Sequence, residues 1–411
     1  MRNTLFILLM FVFPGSLVAQ ETLGKVVNTL KERINLSAYA QLGYTYNSAA
    51  DPDNTFDIKR VIFMADGKIT ERWSCYFMYD FAVSSLQELY TSYQFLPGLS
   101  VRVGQFKTPY TMENQLSPTT VELINCYSLP ACYLVGINGS DVLCSASGGR
   151  DIGLMIYGDL FKKLLTYKVA LMNGQGINTK DKNSQKDVVG YLSVNPLEWL
   201  TVGTSVVIGK GHSVAGAPIH GIEPGENYRR NRWSVGAFLT GKKASLRTEF
   251  MLGKDADVKS NGGYATGCVR IIRNVEAVAS YEYLNRDVVA EDKQSNYMAG
   301  LQYWFYPKCR LQVQYTRLSP KHNDPSDLVQ AQVQDGQRLF QRFGPVPQGG
   351  DGIIGAGVIH GNQLILFKVL VQHGVQRLNK PHGLGTIVVQ VDHSRDKILF
   401  FICHTHTFNT S

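Results

Sequence analysis

The stretch Arg310–Arg317, RLQVQYTR, alternates polar and apolar side chains over its first seven residues. The odd-numbered positions hold the apolar residues Leu311, Val313 and Tyr315, and the even-numbered positions hold charged or polar residues; we call this odd or even position the parity of a residue. Successive side chains of an extended strand point to opposite faces, so this stretch predicts a strand with one apolar face and one polar face. Trp73–Phe81 repeats the pattern, with Trp, Cys, Phe, Tyr and Phe at every second position.

Segments with this alternation recur along the chain, bounded by Gly, Pro, Asn or Asp. They predict sixteen strands, beginning near residues 36, 56, 71, 86, 99, 150, 163, 186, 199, 231, 243, 263, 275, 294, 308 and 327. Connections after even-numbered strands are short, as at Gly67-Lys68, whereas most of those after odd-numbered strands are long. Tight periplasmic turns and long external loops are typical of outer-membrane barrels. The pattern therefore predicts an all-β fold, a transmembrane antiparallel up-and-down β-barrel over residues 36–334.

Composition agrees with a barrel and disfavours other classes. Charged residues are 18% of the chain, with 39 Gly and 21 Tyr, which suits many short strands joined by turns. The net charge of +8 is spread without a Lys/Arg block, so no nucleic-acid partner is predicted. No GxSxG, HExxH, P-loop or Rossmann motif occurs, so we predict neither an enzyme nor a cofactor. The seven cysteines lack CxxC spacing and predict no metal site, whereas a Cys126–Cys132 disulfide depends on an oxidising compartment and is left open.

The N-terminus predicts export from the cytoplasm. Residues 1–19 combine Arg2, an apolar run ending at Phe13, and the small residue Ala19, which are the parts of a signal peptide. Apolar residues in 20–35 have helical spacing and predict a short periplasmic helix before the barrel.

Three strings resemble a known family: Arg102–Pro118 (RVGQFKTPYTMENQLSP), Arg150–Gly158 (RDIGLMIYG) and Asn173–Gly203. They are similar to the phosphate-selective porin O and P family, and the likeness runs from about Ile34 to Gln334. The resemblance implies a porin in the bacterial outer membrane, in contact with its lipid. It also implies a homotrimer that passes small solutes by passive diffusion, with a preference for anions such as phosphate.

The longest connection, Thr108–Gly149, is expected to fold into the lumen as a constriction, and an external flap is the alternative. Its charged residues are the constriction-loop candidates Glu113, Glu122 and Asp141. Because the loop has no Lys or Arg, an anion preference must come from the barrel wall.

Inward parity selects the pore-lining candidates Arg102, Lys168, Arg247 and Arg310. Lys107 is a fifth candidate, because it lies where the strand meets the constriction loop in the family-like string GQFKTP. The neighbours Lys59 and Arg60, like Arg270 and Arg273, have opposite parity, so one residue of each pair is expected at a rim. Carboxylates also predicted inward are Glu88, Glu249, Glu276, Glu282 and Asp80. The alternative role for the cations is therefore to pair with these carboxylates and stiffen the wall.

Residues 335–411 form an atypical tail without Tyr or Trp but with six His, and strand alternation stops after Gln334. Continuing the register points Asp335 at lipid, which is unfavourable away from the interface. Two explanations stay open. Either the tail is translated out of frame and has no selected fold, or it is an appended metal-binding or interaction module using Cys403, His404 and His406.

Two rival functions complete the predictions. The first keeps the barrel and makes it a general or cation-leaning diffusion channel. The second is a secreted, soluble β-sheet protein that binds glycans, which requires the apolar stripes to pack against one another rather than against lipid.

Overall fold

The computed structural model describes residues 33–137, 148–213 and 222–338, together with strand residues 353–360, 363–370, 388–392 and 397–399. The predicted signal peptide lies outside the described residues, as does nearly all of the predicted periplasmic segment. Within the described part of the chain, no helix has the length and apolar character needed to cross a bilayer.

Sixteen antiparallel strands close into a barrel, with each strand paired to its sequence neighbours and β1 paired to β16. The strands are β1 (Ile34–Asn47), β2 (Asn54–Lys68), β3 (Trp73–Asp80), β4 (Ser85–Leu96), β5 (Leu99–Lys107), β6 (Arg150–Leu160), β7 (Leu165–Met172), β8 (Asp187–Leu197), β9 (Leu200–His212), β10 (Asn227–Thr240), β11 (Ala244–Asp255), β12 (Val258–Ile272), β13 (Val275–Asn285), β14 (Lys293–Tyr306), β15 (Cys309–Pro320) and β16 (Ser326–Arg338). The predicted all-β barrel of sixteen strands is confirmed.

Strand starts follow the sequence prediction closely except in β10 and β12. These begin at Asn227 and Val258, earlier than the residues 231 and 263 expected from apolar alternation. Both early ends lie on the side of the long loops, where the hydrogen-bonded ladder continues beyond the apolar band into water. Backbone pairing persists there, but the hydrophobic signal that marks a membrane strand does not.

The two faces of each strand meet different solvents. In β15, Leu311, Val313 and Tyr315 are 41%, 48% and 46% exposed on the outside, while the interior neighbours Gln312 and Gln314 are 2% and 4% exposed. Backbone groups in lipid must be paired within the protein, which a closed barrel achieves without free edges. Because the apolar stripes lie on the outside of one closed barrel, the soluble two-layered rival is wrong.

The barrel closes through β1 and β16, whose register runs from Ser37 opposite Arg338 to Asn47 opposite Leu328. Asp335 has the outward parity expected of it and accepts a hydrogen bond from Cys309 Sγ at 3.0 Å. Since Cys309 begins β15, this carboxylate lies at the short-turn end of the barrel, away from the middle of the apolar band.

Four further strands follow: β17 (Ile353–His360), β18 (Gln363–Leu370), β19 (Val388–Asp392) and β20 (Lys397–Leu399). They form an antiparallel sheet in chain order. The origin of the tail stays a prediction.

Candidate functional site in the barrel lumen

We call the connection between β5 and β6 the lumen loop (108–149); its described residues, 108–137 and 148–149, lie inside the barrel. Thr111 N donates to Ser205 Oγ of β9 at 2.9 Å. Further along the loop, Ile124 N donates to Gln314 Oε1 of β15 at 3.0 Å. Both acceptors belong to buried, inward-facing side chains. The loop therefore crosses the lumen and contacts well-separated parts of the wall.

Local sequence shapes the loop into a compact insert. It contains a 3-10 turn, Glu113–Gln115, and a short helix α1, Leu129–Val135. Proline stands in the first turn of α1, where a missing N–H costs nothing, and Gly136 ends the helix at φ +72°. Apolar loop and wall side chains then form one buried cluster, including Tyr110, Leu134, Met172 and Met251.

Two inward glutamates of the wall hold the backbone of the lumen loop. Glu249 on β11 accepts from Met112 N at 2.8 Å and from Glu113 N at 3.2 Å. Glu282 on β13 accepts from Leu129 N, the first residue of α1, at 3.0 Å. These carboxylates satisfy backbone donors that would otherwise be buried without partners.

Glu113 performs the same task within the loop. Its Oε2 accepts from Ser128 N at 2.9 Å and from Ser128 Oγ at 2.6 Å. Burial raises the pKa of Glu113, against the opposing effect of Arg247. The predicted constriction-loop acid Glu113 is therefore a buried structural group, whereas Asp141 lies outside the described residues.

Four of the predicted pore-lining cations are engaged by the lumen loop. Arg247 pairs with Glu122, the third predicted loop acid. Arg310 donates to Val121 O at 2.6 Å. Lys168 donates to Gln115 Oε1 at 2.7 Å, and Lys107 donates to Leu116 O. These side chains face inward, but they bind the loop.

Arg102, the fifth predicted cation, packs among aromatic rings of the inner wall. Its guanidinium carbon lies 3.8 Å from the Tyr90 ring centre and 4.9 Å from the Tyr157 ring centre. Its Nε donates to Ser92 Oγ at 3.1 Å. Cation–π contacts of this kind hold the arginine against the wall.

A β-bulge brings both Lys59 and Arg60 to the lumen. The register of β1 and β2 pairs Gln41 with Arg60 and then Leu42 with Ile58, so Lys59 is the extra residue. A bulge breaks strict alternation, which allows consecutive side chains to share one side. Both residues therefore line the same cavity, although strict alternation predicts opposite sides of the wall for them.

The described residues enclose a cavity of about 490 Å³ between the lumen loop and the wall formed by β1 to β4. Lys59, Arg60 and Arg150 line it, together with Asp80 and Tyr127. Arg60 Nη1 donates to Gln41 Oε1 at 2.8 Å and contacts Cys126 Sγ at 3.4 Å, which points the guanidinium across the lumen. Within the described part of the chain, this cavity brings three cations together beside the loop, where a solute could contact them.

Arg150 is a functional candidate that sequence reasoning missed. Alternation groups it with Leu154 and Ile156, which face outward, but Arg150 is the first residue of β6 and follows directly from the lumen loop. Its Nε lies 3.3 Å from Glu88 Oε1, and its Nη1 donates to Gly148 O at 3.2 Å. The one indication in the sequence was its position at the junction of loop and strand, where the chain changes direction and the regular inward–outward alternation of side chains does not hold.

The remaining inward carboxylates also have defined partners. Asp80 Oδ1 accepts from Val61 N at 3.2 Å and Ala82 N at 3.0 Å. Glu276 accepts from Arg270 Nη2 at 2.8 Å and from Trp304 Nε1 at 2.9 Å.

Five cysteines lie among the described residues, and all five are free thiols. No group of three His, Cys, Asp or Glu that could hold a metal occurs among the described residues. Cys126 and Cys132 carry thiols, with Cys132 Sγ directed at Tyr127 O, 3.8 Å away.

Comparison with protein families finds a match between residues 31–148 and the model described as phosphate-selective porin O and P. The predicted resemblance is confirmed over these residues, which include the first of the three strings, Arg102–Pro118. The match covers the first five strands and most of the lumen loop, and together with the closed barrel it confirms the predicted bacterial outer-membrane porin. A comparison with curated proteins gives no match.

Solved structures share the barrel at low sequence identity. One is OmpT of Vibrio cholerae in its trimer form, at 9% identity and a TM-score of 0.56, covering 74% of this chain and 99% of that one. Another is the anion-selective porin from Comamonas acidovorans, at 12% identity and a TM-score of 0.54, covering 74% and 99%. The outer-membrane channel DcaP of Acinetobacter baumannii has 11% identity and a TM-score of 0.53, covering 74% and 97%. These likenesses concern the fold.

Proposed function

We propose that the protein passes small anions by passive diffusion and that Lys59, Arg60 and Arg150 set its preference for anions. The observation that carries this proposal is the cavity of about 490 Å³ in which these three cations converge beside the lumen loop. Lys and Arg lining a narrow passage replace the hydration of an anion and repel cations.

The balance of charge around this cavity favours anions. Asp80 is the carboxylate among the lining residues, and its Oδ1 already accepts from two backbone amides. The loop acids Glu113 and Glu122 are directed at Ser128 and Arg247 and do not line the cavity. Glu88 offsets part of the charge of Arg150, so Lys59 and Arg60 carry most of the expected effect.

Phosphate is the proposed solute class, and two observations support it. The matched family model is described as phosphate-selective, and one barrel with the same fold is described as anion-selective. Arginine presents several N–H donors in a planar fork that suits phosphate oxygens, and both Arg60 and Arg150 line the cavity. A homotrimer is proposed by analogy with the trimer form of OmpT.

The test is the reversal potential of the purified protein in planar bilayers under a potassium chloride gradient. The unaltered protein should prefer chloride, and inorganic phosphate should reduce the chloride current. The double variant Lys59→Gln/Arg60→Gln should lose most of the chloride preference. Lys162→Gln/Lys163→Gln removes the same charge from an exposed turn between β6 and β7 and should behave like the parent.

Cation preference of the unaltered protein would favour the rival general or cation-leaning channel. An unchanged reversal potential in Lys59→Gln/Arg60→Gln would contradict the assignment of selectivity to this cavity.

A further inference from the structure

Four cations cluster on the outer surface of the barrel, at the ends of β9 to β12 nearest the long loops. Lys210 of β9 lies opposite Arg229 of β10 in the strand register. Lys254 of β11 lies opposite Lys259 of β12. Parity places all four on the lipid-facing side. We call Lys210, Arg229, Lys254 and Lys259 the basic cluster.

Within the described residues, Lys254 is the one member of the basic cluster with a carboxylate partner. Lys254 Nζ lies 3.4 Å from Asp257 Oδ1, and Asp257 is fully exposed. Among the described residues, no carboxylate pairs with the side chains of the other three cations. The neighbouring stretch 214–221 contains no Asp or Glu in its sequence.

Cations elsewhere on the same rim differ in this respect. Arg317 Nη1 lies 2.8 Å from Asp327 Oδ1, and Lys293 Nζ lies 3.0 Å from Glu291 Oε1. Arg317 and Lys293 thus have carboxylate partners at this rim, whereas Lys210, Arg229 and Lys259 have none among the described residues.

An apolar groove lies directly below the basic cluster. Its upper part is a concavity of about 560 Å³ lined by Ile208, Trp233, Leu252 and Val288 among others. The side chains of Ile208, Trp233 and Leu252 are 57%, 39% and 40% exposed. We call this concavity the Trp233 groove.

A second concavity of about 470 Å³ shares Val206 and Trp233 with the first and continues towards Gly190, which has no side chain to fill it. Along β9, the distance from Lys210 at the rim to Thr204 in the second concavity is roughly 20 Å, at the usual rise per residue. The surface is thus amphipathic in the direction of the membrane normal, with cations at the water end and apolar walls towards the hydrocarbon.

We propose that this face binds a phosphorylated, acylated glycolipid of the outer leaflet. Its phosphate groups contact the basic cluster and an acyl chain occupies the Trp233 groove. Basic clusters at a membrane surface attract anionic headgroups, and Arg and Lys hydrogen-bond phosphate oxygens strongly. Tryptophan is also favoured at the level where chains meet headgroups.

A second copy of the chain fits this surface less well than a lipid. An interface between copies would bury several unpaired cations, which is costly unless the partner supplies matched carboxylates. Interface cores are also depleted of charged residues. A lipid matches this surface, because its anionic headgroup lies at the water end, beside the cations, and its acyl chain lies in the hydrocarbon, beside the apolar groove.

The test is binding of bisphosphorylated lipid A to the full-length protein in detergent, measured by native mass spectrometry. The triple variant Lys210→Gln/Arg229→Gln/Lys259→Gln should bind it on the order of 100-fold more weakly, at about 1 kcal/mol per cation. Lys162→Gln/Lys163→Gln/Lys243→Gln makes the same charge change at exposed residues of two short turns and should bind like the parent. Ile208→Ser/Leu252→Ser, which alters the groove alone, should also weaken binding.

Folding of each variant is checked by its heat-dependent shift on a gel. Titration of the unaltered protein with sodium chloride gives a second measurement, since screening should weaken binding to exposed cations. Equal affinity of parent and rim triple variant, or binding insensitive to salt, would overturn the proposal. So would conversion of the triple variant from oligomer to monomer with unchanged lipid affinity, because the face would then join copies of the chain. The lipid-binding proposal depends on the outer-membrane location and not on ion selectivity, so it can fail independently of the proposed anion selectivity.

Discussion

Replacing Glu249 by Ala should release the lumen loop from the barrel wall. The carboxylate of Glu249 accepts hydrogen bonds from Met112 N and Glu113 N, and all three residues are buried. The substitution removes both acceptors and leaves two backbone donors inside the lumen without partners.

The expected effect follows from the cost of a buried donor. Each unsatisfied N–H costs about 1–3 kcal/mol, so the loop should lose about 2–6 kcal/mol of stabilisation. The lower value corresponds to about a 30-fold increase in the population with a detached loop. Glu249→Gln keeps one amide oxygen as an acceptor and should fall between Glu249→Ala and the parent.

The assay is the labelling rate of Cys126 by a water-soluble maleimide, read by peptide mass spectrometry. Cys126 lies in the lumen loop and is 0% exposed, so its thiol should react only after the loop detaches. Glu249→Ala should accelerate labelling about 30-fold or more and should add larger conductance states in bilayer recordings. Glu276→Ala is the matched control, because Glu276 is also an inward glutamate but its hydrogen bonds go to other wall residues. Equal labelling rates in parent and Glu249→Ala would refute the reasoning.

Three further predictions concern packing and pH. Arg247→Met leaves the Glu122 carboxylate without its ion-pair partner and should lower the free energy of unfolding by about 3–5 kcal/mol, measured from urea unfolding. Adding Glu122→Gln should recover part of this loss, because it removes the unpaired charge. The absence of any recovery would contradict a stabilising role for the ion pair. Burial raises the pKa of Glu113, so the folded state holds this proton more tightly than the unfolded state. Stability should therefore fall as pH rises from the unfolded pKa through the higher folded pKa. Glu113→Gln should therefore raise the thermal unfolding temperature more at pH 8 than at pH 4, and an equal effect at both would contradict this. Gly104 has φ +133°, and a Cβ added to it would overlap a backbone carbonyl of β4. Gly104→Ala should therefore reduce the fraction of protein that shows a heat-dependent gel shift, whereas Gly267→Ala should not, because Gly267 has open space around it. Equal folded fractions in the two variants would contradict the strain argument.

The architecture of the barrel could be predicted from sequence because its signal is local and repeated. In β15, the positions predicted to be apolar are the exposed ones, and the intervening residues face the lumen. Loop lengths carried a second local signal, which ordered the strands into an up-and-down barrel. Prediction was less accurate at the early ends of β10 and β12, because backbone pairing there continues without an apolar face.

The site could be predicted less well, since parity fails where the backbone leaves the regular strand. The bulge at Lys59 brings two neighbouring cations to one cavity, and the start of β6 turns Arg150 inward. For Arg247 and Arg310, parity indicated the inward direction but not the loop atoms that these side chains contact. Alternation predicts whether a side chain points into the lumen or outward, but it does not predict which atoms that side chain contacts.

The order of residues along the chain by itself determined the sixteen-stranded barrel, because each side chain's parity decides whether it meets lipid or the interior. Only the tertiary structure decided which loop atoms the lumen cations contact and which of these cations also line the cavity. That choice depends on the path of the lumen loop, which is held by pairs such as Met112 and Glu249, 137 positions apart. Contacts at such separation arise from closing the barrel around the loop, and no local pattern in the sequence encodes them.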